Sequence, residues 1–154
     1  MDQSSIVFIS IISAAGLAAL VLAAFFVARA WKHRRRSLEM DDMEGHEFEY
    51  FCADLLRDKG FLDVEVTRGS GDFGVDILAE KDGVTYAVQC KCYNAPIGIK
   101  AVQEIYAGRD YYDRMVGVVM TNQYFTSAAV DAAKKLQILL WDRGYLESMM
   151  EALD

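Results

Sequence analysis

Basic residues are scarce where a nucleic-acid partner would need them. The 154-residue chain carries 16 Lys or Arg against 23 Asp or Glu. Five of the basic residues and one of the acids precede Ser37, so residues 37–154 hold 11 basic and 22 acidic side chains, a net of −11. A non-specific DNA binder ordinarily presents a basic face. The balance therefore argues against casual DNA binding and leaves open only a local basic patch. Histidine and cysteine are scarce too: His33 and His46, with Cys52, Cys90 and Cys92. An odd number of cysteines, expected in a reducing compartment, suggests free thiols and not a disulfide frame. Cys90-x-Cys92 supplies too few ligands for zinc, and the two histidines do not complete the set. Internal repeats and low-complexity tracts are absent. Charge is missing altogether from the 23 residues Ile6 to Ala28.

That uncharged run accounts for most of the excess in a 53% hydrophobic composition. As a helix it would rise about 34 Å, enough to cross a hydrocarbon core of about 30 Å. A cleaved signal peptide would carry its positive charge ahead of a shorter apolar region. Here Asp2 is the only charge ahead, and Arg29, Lys32, Arg34, Arg35 and Arg36 follow. Positive residues stay on the cytoplasmic side, and Trp31 suits an interfacial anchor. The expected organisation is an extracytoplasmic tail (1–5), a transmembrane helix (6–31), a basic then acidic juxtamembrane linker (32–44) and a globular domain (45–154). The expected location is the cell inner membrane, crossed once, with the C-terminal domain in the cytoplasm.

Downstream, Phe48, Phe51, Cys52, Leu55 and Leu56 form one apolar stripe of a helix over 45–59, which Gly60 stops. A short strand lies within 61–67, and Arg68 to Asp72 is a turn-rich loop. Strands are expected over 75–80 and 84–91, joined at Asp82-Gly83. Asn94-Ala95-Pro96 breaks the chain. Helix 99–112, strand 115–120, helix 126–135, strand 137–141 and helix 145–153 follow. A strand meander succeeded by alternating strands and helices indicates an α/β fold with a mixed sheet flanked by helices.

Asp82-Gly83 is a strong signal for a two-residue type I′ hairpin. It pairs Lys81 with Val84, and counting back sets Asp76 opposite Gln89 and Val75 opposite Cys90. Alternation then places Asp76, Leu78 and Glu80 on one face with Thr85, Ala87, Gln89 and Lys91. The other face collects Val75, Ile77, Ala79, Tyr86, Val88 and Cys90. Opposed Cβ atoms lie roughly 5 Å apart, so Asp76 and the Gln89 amide oxygen could share one divalent cation. Lys91, one pleat further, could hold a water or hydroxide, an arrangement suited to metal-assisted phosphodiester hydrolysis. Glu49 lies about 20° from Leu56 on the helical wheel, at the edge of the buried stripe, and could join them. Glu47, at the opposite edge, is the weaker candidate. By spacing alone, an ordinary exposed polar sheet face is the stronger reading of Asp76, Gln89 and Lys91.

A wider set of stretches bears on the choice. Gly45-His46-Glu47-Phe48-Glu49, Leu55-Leu56 and Gly60-Phe61 come first, then Thr67 through Asp76 (TRGSGDFGVD) and Val88-Gln89-Cys90-Lys91. Val102-Gln103-Glu104 with Ala107-Gly108, Thr121-Asn122 with Phe125-Thr126, and Leu140-Trp141-Asp142 complete the series. In this order they resemble the Mrr-like branch of the restriction-endonuclease-like, PD-(D/E)XK nucleases, over roughly residues 44–146. The resemblance implies a restriction-endonuclease-like fold and Mrr-type hydrolysis of DNA with Mg²⁺ or Mn²⁺. It implies Asp76, Gln89, Lys91 and Glu49 as catalytic residues, with Asp76, Gln89 and Glu49 on the metal. Gln89 stands where most of the superfamily has a second acid. Asp72 matches a further motif acid and reads equally well as a cap of the Gly-rich turn. Arg68 is the basic residue most expected near DNA. Two departures accompany the match. The expected span occupies the place of a separate DNA-recognition domain, and Cys92 stands where a basic residue is common.

Other features have bland alternatives. Tyr106, Tyr111, Tyr112 and Tyr124 could stack on bases, but more often such rings pack with a polar end exposed. Lys100, Arg109, Lys134 and Lys135 could face phosphates, or form a solvated helix face. Thr121-Asn122 suits a structural role at a strand end. The expected partners are DNA and a membrane, and a homodimer is open. Two functions compete: a membrane-tethered endonuclease for foreign or modified DNA, and a catalytically weak nuclease-fold domain that binds nucleic acid or a protein at the membrane.

Overall fold

The computed structural model describes residues 16–28, 31, 39–67 and 73–151. The chain divides into two units, residues 1–36 and 37–154. In the first, residues 16–28 are helical and exposed. The rest of the expected span, residues 6–15 above all, lies outside the described residues. Among the described residues no helix is long and apolar enough to cross a membrane.

Within the second unit the elements are α1 (Gly45–Asp58), β1 (Leu62–Val66), β2 (Ile77–Lys81), β3 (Val84–Lys91), α2 (Ile99–Tyr111), β4 (Val116–Thr121), α3 (Ser127–Leu136), β5 (Ile138–Trp141) and α4 (Arg143–Glu151). They form one five-stranded sheet in the order β1-β2-β3-β4-β5. The first three strands pair antiparallel, and β3-β4 and β4-β5 pair parallel. Parallel neighbours require a crossover. α2 supplies it between β3 and β4, and α3 between β4 and β5.

The β2–β3 hairpin closes as the sequence indicated. Asp82 and Gly83 both have positive φ, 53° and 77°, as a type I′ turn demands. Lys81 pairs with Val84 and the register runs unbroken to Ile77 opposite Val88. There it slips. The Asp76 N–H donates to the Val88 carbonyl at 2.8 Å, one residue out of step with the ladder. Two residues of one strand then face one of the other, the arrangement of a β-bulge. The strand therefore begins at Ile77, not Val75. Val75 does not join Ile77 on its face: it packs with Ala87, Val119 and the α2 side chains.

Helices cover both faces of the sheet. On one, Phe48, Cys52, Leu55 and Leu56 of α1 and Leu146, Met149 and Met150 of α4 pack on Ile77, Val88, Cys90, Val118, Met120 and Trp141. Phe48 and Leu56 are fully buried, each contributing about 1.5–3 kcal/mol relative to exposure. On the other, Ala101, Val102 and Ile105 of α2 and Ala129 and Ala133 of α3 pack on Ala87, Val119 and Ile138. The face bearing Leu78, Ala87 and Gln89 is thus covered, and the exposed polar sheet face fails as a description: Gln89 is fully buried.

The acidic segment before α1 is not a free linker. Glu39–Asp42 is helical and Met40 is fully buried in the core. The Cys92 thiol donates to the carbonyls of Met40 and Met43 at 3.4 and 3.3 Å. Asn122 binds the Tyr93 N–H through Oδ1 and Asp41 through Nδ2, and Arg143 pairs with Asp41. Cys92, lacking the charge a phosphate contact would need, serves as an anchor for this segment. Asn122 has the structural role its strand-end position suggested. α4 begins at Arg143, two residues before expectation, because the Asp142 carboxylate accepts the Tyr145 N–H at 3.0 Å and caps the helix.

Candidate active site

The bulge at Asp76 decides what its carboxylate does. Having left the ladder, Asp76 accepts the Cys90 backbone N–H through Oδ2 at 2.6 Å. The side chain thereby replaces a backbone acceptor and is held at the end of β3. Asp76 is half-buried, as is Lys91. A cleft of about 670 Å³ is lined by Asp76, Gln89 and Lys91, together with Phe73, Gly74, Lys100, Gln103, Glu104 and Ala107. The three residues that spacing singled out thus share one cavity.

Gln89 enters this cavity from the covered face. Its Nε2 donates to Glu104 Oε2 at 2.9 Å. Among the described residues its Oε1, also buried, has no hydrogen-bond partner. An orphaned buried amide oxygen costs on the order of 1–3 kcal/mol, so its persistence asks for a ligand. An amide oxygen beside a carboxylate is a donor set that a hard divalent cation accepts. The residues present therefore fit Mg²⁺ or Mn²⁺ at Asp76 and Gln89.

Lys91 is not free to hold a hydroxide alone. Its Nζ lies 3.4 Å from Glu104 Oε2, and Lys100 Nζ lies 3.5 Å from Glu104 Oε1. Burial, the largest influence on Glu104, raises its pKa. The Gln89 hydrogen bond and the Lys91 and Lys100 charges outweigh it, and the carboxyl sits below its ordinary value. Glu104 is the site residue that sequence reasoning missed. It stood in a motif but on a helix with no stated target. The available signal was Gly108, one turn on. A Cβ there would lie 2.5 Å from Val75 Cγ2 and 2.8 Å from the Phe73 carbonyl oxygen. Only glycine lets α2 approach the 73–75 turn this closely and bring Glu104 over Gln89. Gly74, at φ +76°, is constrained by a different contact: its Cβ would meet Gln89 Nε2 at 2.7 Å and Glu104 Cβ at 3.1 Å.

The remaining expected residues are placed differently. Glu49 is half-buried on α1 and does not line the cleft; its Oε2 lies 2.7 Å from His46 Nδ1. It approaches the site from the other face. Burial pushes the Cys90 thiol well up, and the Cys52 side chain, Asp76 and Glu49 push it further. Both carboxylates are thus near enough to be felt at Cys90. Among the described residues no three His, Cys, Asp or Glu side chains gather as a metal cluster. Glu47 accepts the Glu44 N–H at 3.0 Å and caps α1. Arg68 and Asp72 lie outside the described residues. Of the four basic residues weighed as a patch, only Lys100 lines the cleft; Arg109 pairs with Asp110 and lies over the Tyr106 ring. Tyr111 stacks on Phe73 at 4.0 Å between centroids and meets Tyr112 edge-on.

A family model described as "Restriction endonuclease" (Mrr_cat) matches residues 40–150. The chain belongs to this restriction endonuclease family. Three solved structures share the fold of this restriction endonuclease-like domain. "Protein of Unknown Function AF1548" is 25% identical, with a TM-score of 0.58 over 68% of this chain and 64% of that one. "DNA modification-dependent restriction endonuclease AspBHI" is 21% identical, with a TM-score of 0.53 over 68% and 30%. "MspJI Restriction Endonuclease in Complex with 27-mer Oligonucleotide" is 20% identical, with a TM-score of 0.53 over 80% and 31%. The chain therefore spans less than two thirds of each of these proteins. No curated protein matches it significantly.

Proposed function

We propose that this restriction endonuclease-like chain is a metal-dependent endonuclease that hydrolyses DNA phosphodiester bonds at a membrane. The observation that carries the reading is the buried, unpartnered Gln89 Oε1 in one cleft with Asp76 and Lys91. Asp76 and Gln89 would hold Mg²⁺ or Mn²⁺, which supplies Lewis acidity and a more acidic bound water. Lys91 balances phosphate charge. Glu49, on the other face, adds negative field and is the third residue of the metal set. The bound oligonucleotide of MspJI and the modification dependence of AspBHI, each a property of those proteins, support DNA as substrate and foreign or modified DNA as its source.

The membrane part rests on sequence: the uncharged run Ile6 to Ala28, Trp31, and the basic cluster behind it. It is tested by alkaline carbonate extraction of cell membranes. Release of the full chain into the supernatant would remove the anchor from the proposal, and with it the inner-membrane location.

Catalysis is tested on supercoiled plasmid with the purified full chain and Mg²⁺ or Mn²⁺. Nicking that vanishes in Asp76→Ala and Lys91→Ala is the expected result. Equal cutting by either variant would mean the site is elsewhere. The net of −11 over residues 37–154 favours the second reading, a catalytically weak domain that binds nucleic acid or a protein partner. DNA binding without cutting under either metal would establish it instead.

A further inference from the structure

Glu104 joins three residues of the cleft: Gln89, Lys91 and Lys100. It accepts from Gln89 Nε2 and lies between the ammonium groups of Lys91 and Lys100. Its position is built, since Gly108 admits α2 against the 73–75 turn and Gly74 clears room for the Gln89 amide. An amide has a donor end and an acceptor end of nearly equal size, and only the hydrogen-bond network chooses between its two orientations. A carboxylate can only accept. Glu104 therefore takes the NH₂ end.

We infer that Glu104 is a positioning residue for the Gln89 amide. It commits Nε2 to α2 and leaves Oε1 as the end offered to a cation. The inference rests on the metal reading of the cleft given above, and it assigns a task to a residue outside the Asp76, Gln89, Lys91 and Glu49 set. With Glu104 removed, either end of the Gln89 amide can turn to the cation position. The NH₂ end, carrying partial positive charge, repels a cation there. The loss should appear in metal affinity before it appears in the fold.

The experiment measures Mn²⁺ binding to the full chain by water-proton relaxation, with the unfolding temperature recorded alongside. In Glu104→Met, which keeps length with only a weak thioether acceptor, Mn²⁺ affinity should fall about tenfold or more, the usual scale for loss of a group that orients a ligand. Glu104→Ala should do the same. In Glu104→Gln, the Lys91 ammonium beside the same oxygen position that accepts from Gln89 keeps the acceptor end turned inward, and affinity should stay within about threefold of wild type. Wild-type affinity in Glu104→Met or Glu104→Ala overturns the inference. So does an equal loss in Glu104→Gln, which would assign the effect to charge and not to amide orientation. If one variant fails to fold, the other two still decide. Absence of Mn²⁺ binding in the wild-type chain is a different failure: it removes the metal reading itself, and this inference with it.

Discussion

The Asp76 carboxylate accepts the backbone N–H of Cys90 at 2.6 Å, across the gap opened when the hairpin register slips at Ile77. A side chain here does the work of a main-chain carbonyl. The same residue is asked to hold a metal, so its structural and chemical roles must be separable.

Asp76→Asn separates them. Asparagine keeps the size and an oxygen that can accept from Cys90, but loses the charge. The unfolding temperature should stay within a few degrees of wild type, while the rate of plasmid nicking should fall about 100-fold or more, some 2.7 kcal/mol of barrier. A variant that nicks at the wild-type rate would show the charge at Asp76 to be idle.

The Cys90 thiol gives the stability a sign with pH. Burial, then Cys52, Asp76 and Glu49, raise its pKa in the folded chain. An unfolded thiol titrates at about 8.5. Between the unfolded and folded values the native state binds the extra proton, so this contribution is complete below about pH 8.5 and is lost as pH rises. Urea midpoints at pH 7 and pH 9.5 should drop further in wild type than in Cys90→Ala. Cys92 is also raised, by burial, then by Asp41 and Cys52, so a part of the slope should survive in that variant.

Gly108→Ala tests the approach of α2. Its Cβ would stand 2.8 Å from the Phe73 carbonyl oxygen and 2.5 Å from Val75. Backbone cannot swing aside as a flexible side-chain end can. The expected cost is about 1–3 kcal/mol by urea denaturation, accompanied by weaker Mn²⁺ binding as Glu104 is carried outward. An unchanged midpoint would mean that the contact relaxes freely.

The segment ahead of α1 is tested by truncation. A chain starting at Gly45 loses Met40, a fully buried residue, and the Asp41 contacts with Asn122 and Arg143. Compared with a chain starting at Ser37, it should be less stable by at least the 2–5 kcal/mol typical of emptying a buried Met site. Equal urea midpoints would return residues 39–44 to the status of a linker.

The sequence was informative where one local interaction dominates. Asp82-Gly83 specified the turn, and the turn specified the register of five residue pairs. The order of helices and strands followed from periodicity. It failed where a distant element intervenes. The bulge at Asp76 leaves no mark in the alternation of apolar residues, so Val75 was placed on the wrong face. Glu104 lies 15 positions beyond Gln89, and nothing in its own helix names the strand beneath it. Met40 was outvoted by its acidic neighbours, although Met40 and Met43, three apart, are the two apolar residues on which Cys92 closes.

The two halves of the cleft also differ in when they can exist. Asp76 and Gln89 are joined through a hairpin with a two-residue turn, a local contact that forms on the scale of about 1–10 μs. Glu104 arrives only with α2, which must pack back over the 73–75 turn and Gln89, a less local and slower event. The emerging chain thus holds an aspartate and an unoriented amide before it holds the group that orients the amide. Full metal affinity should therefore be gained late in folding, after α2 packs, as a Mn²⁺-quench stopped-flow trace lagging behind hairpin formation.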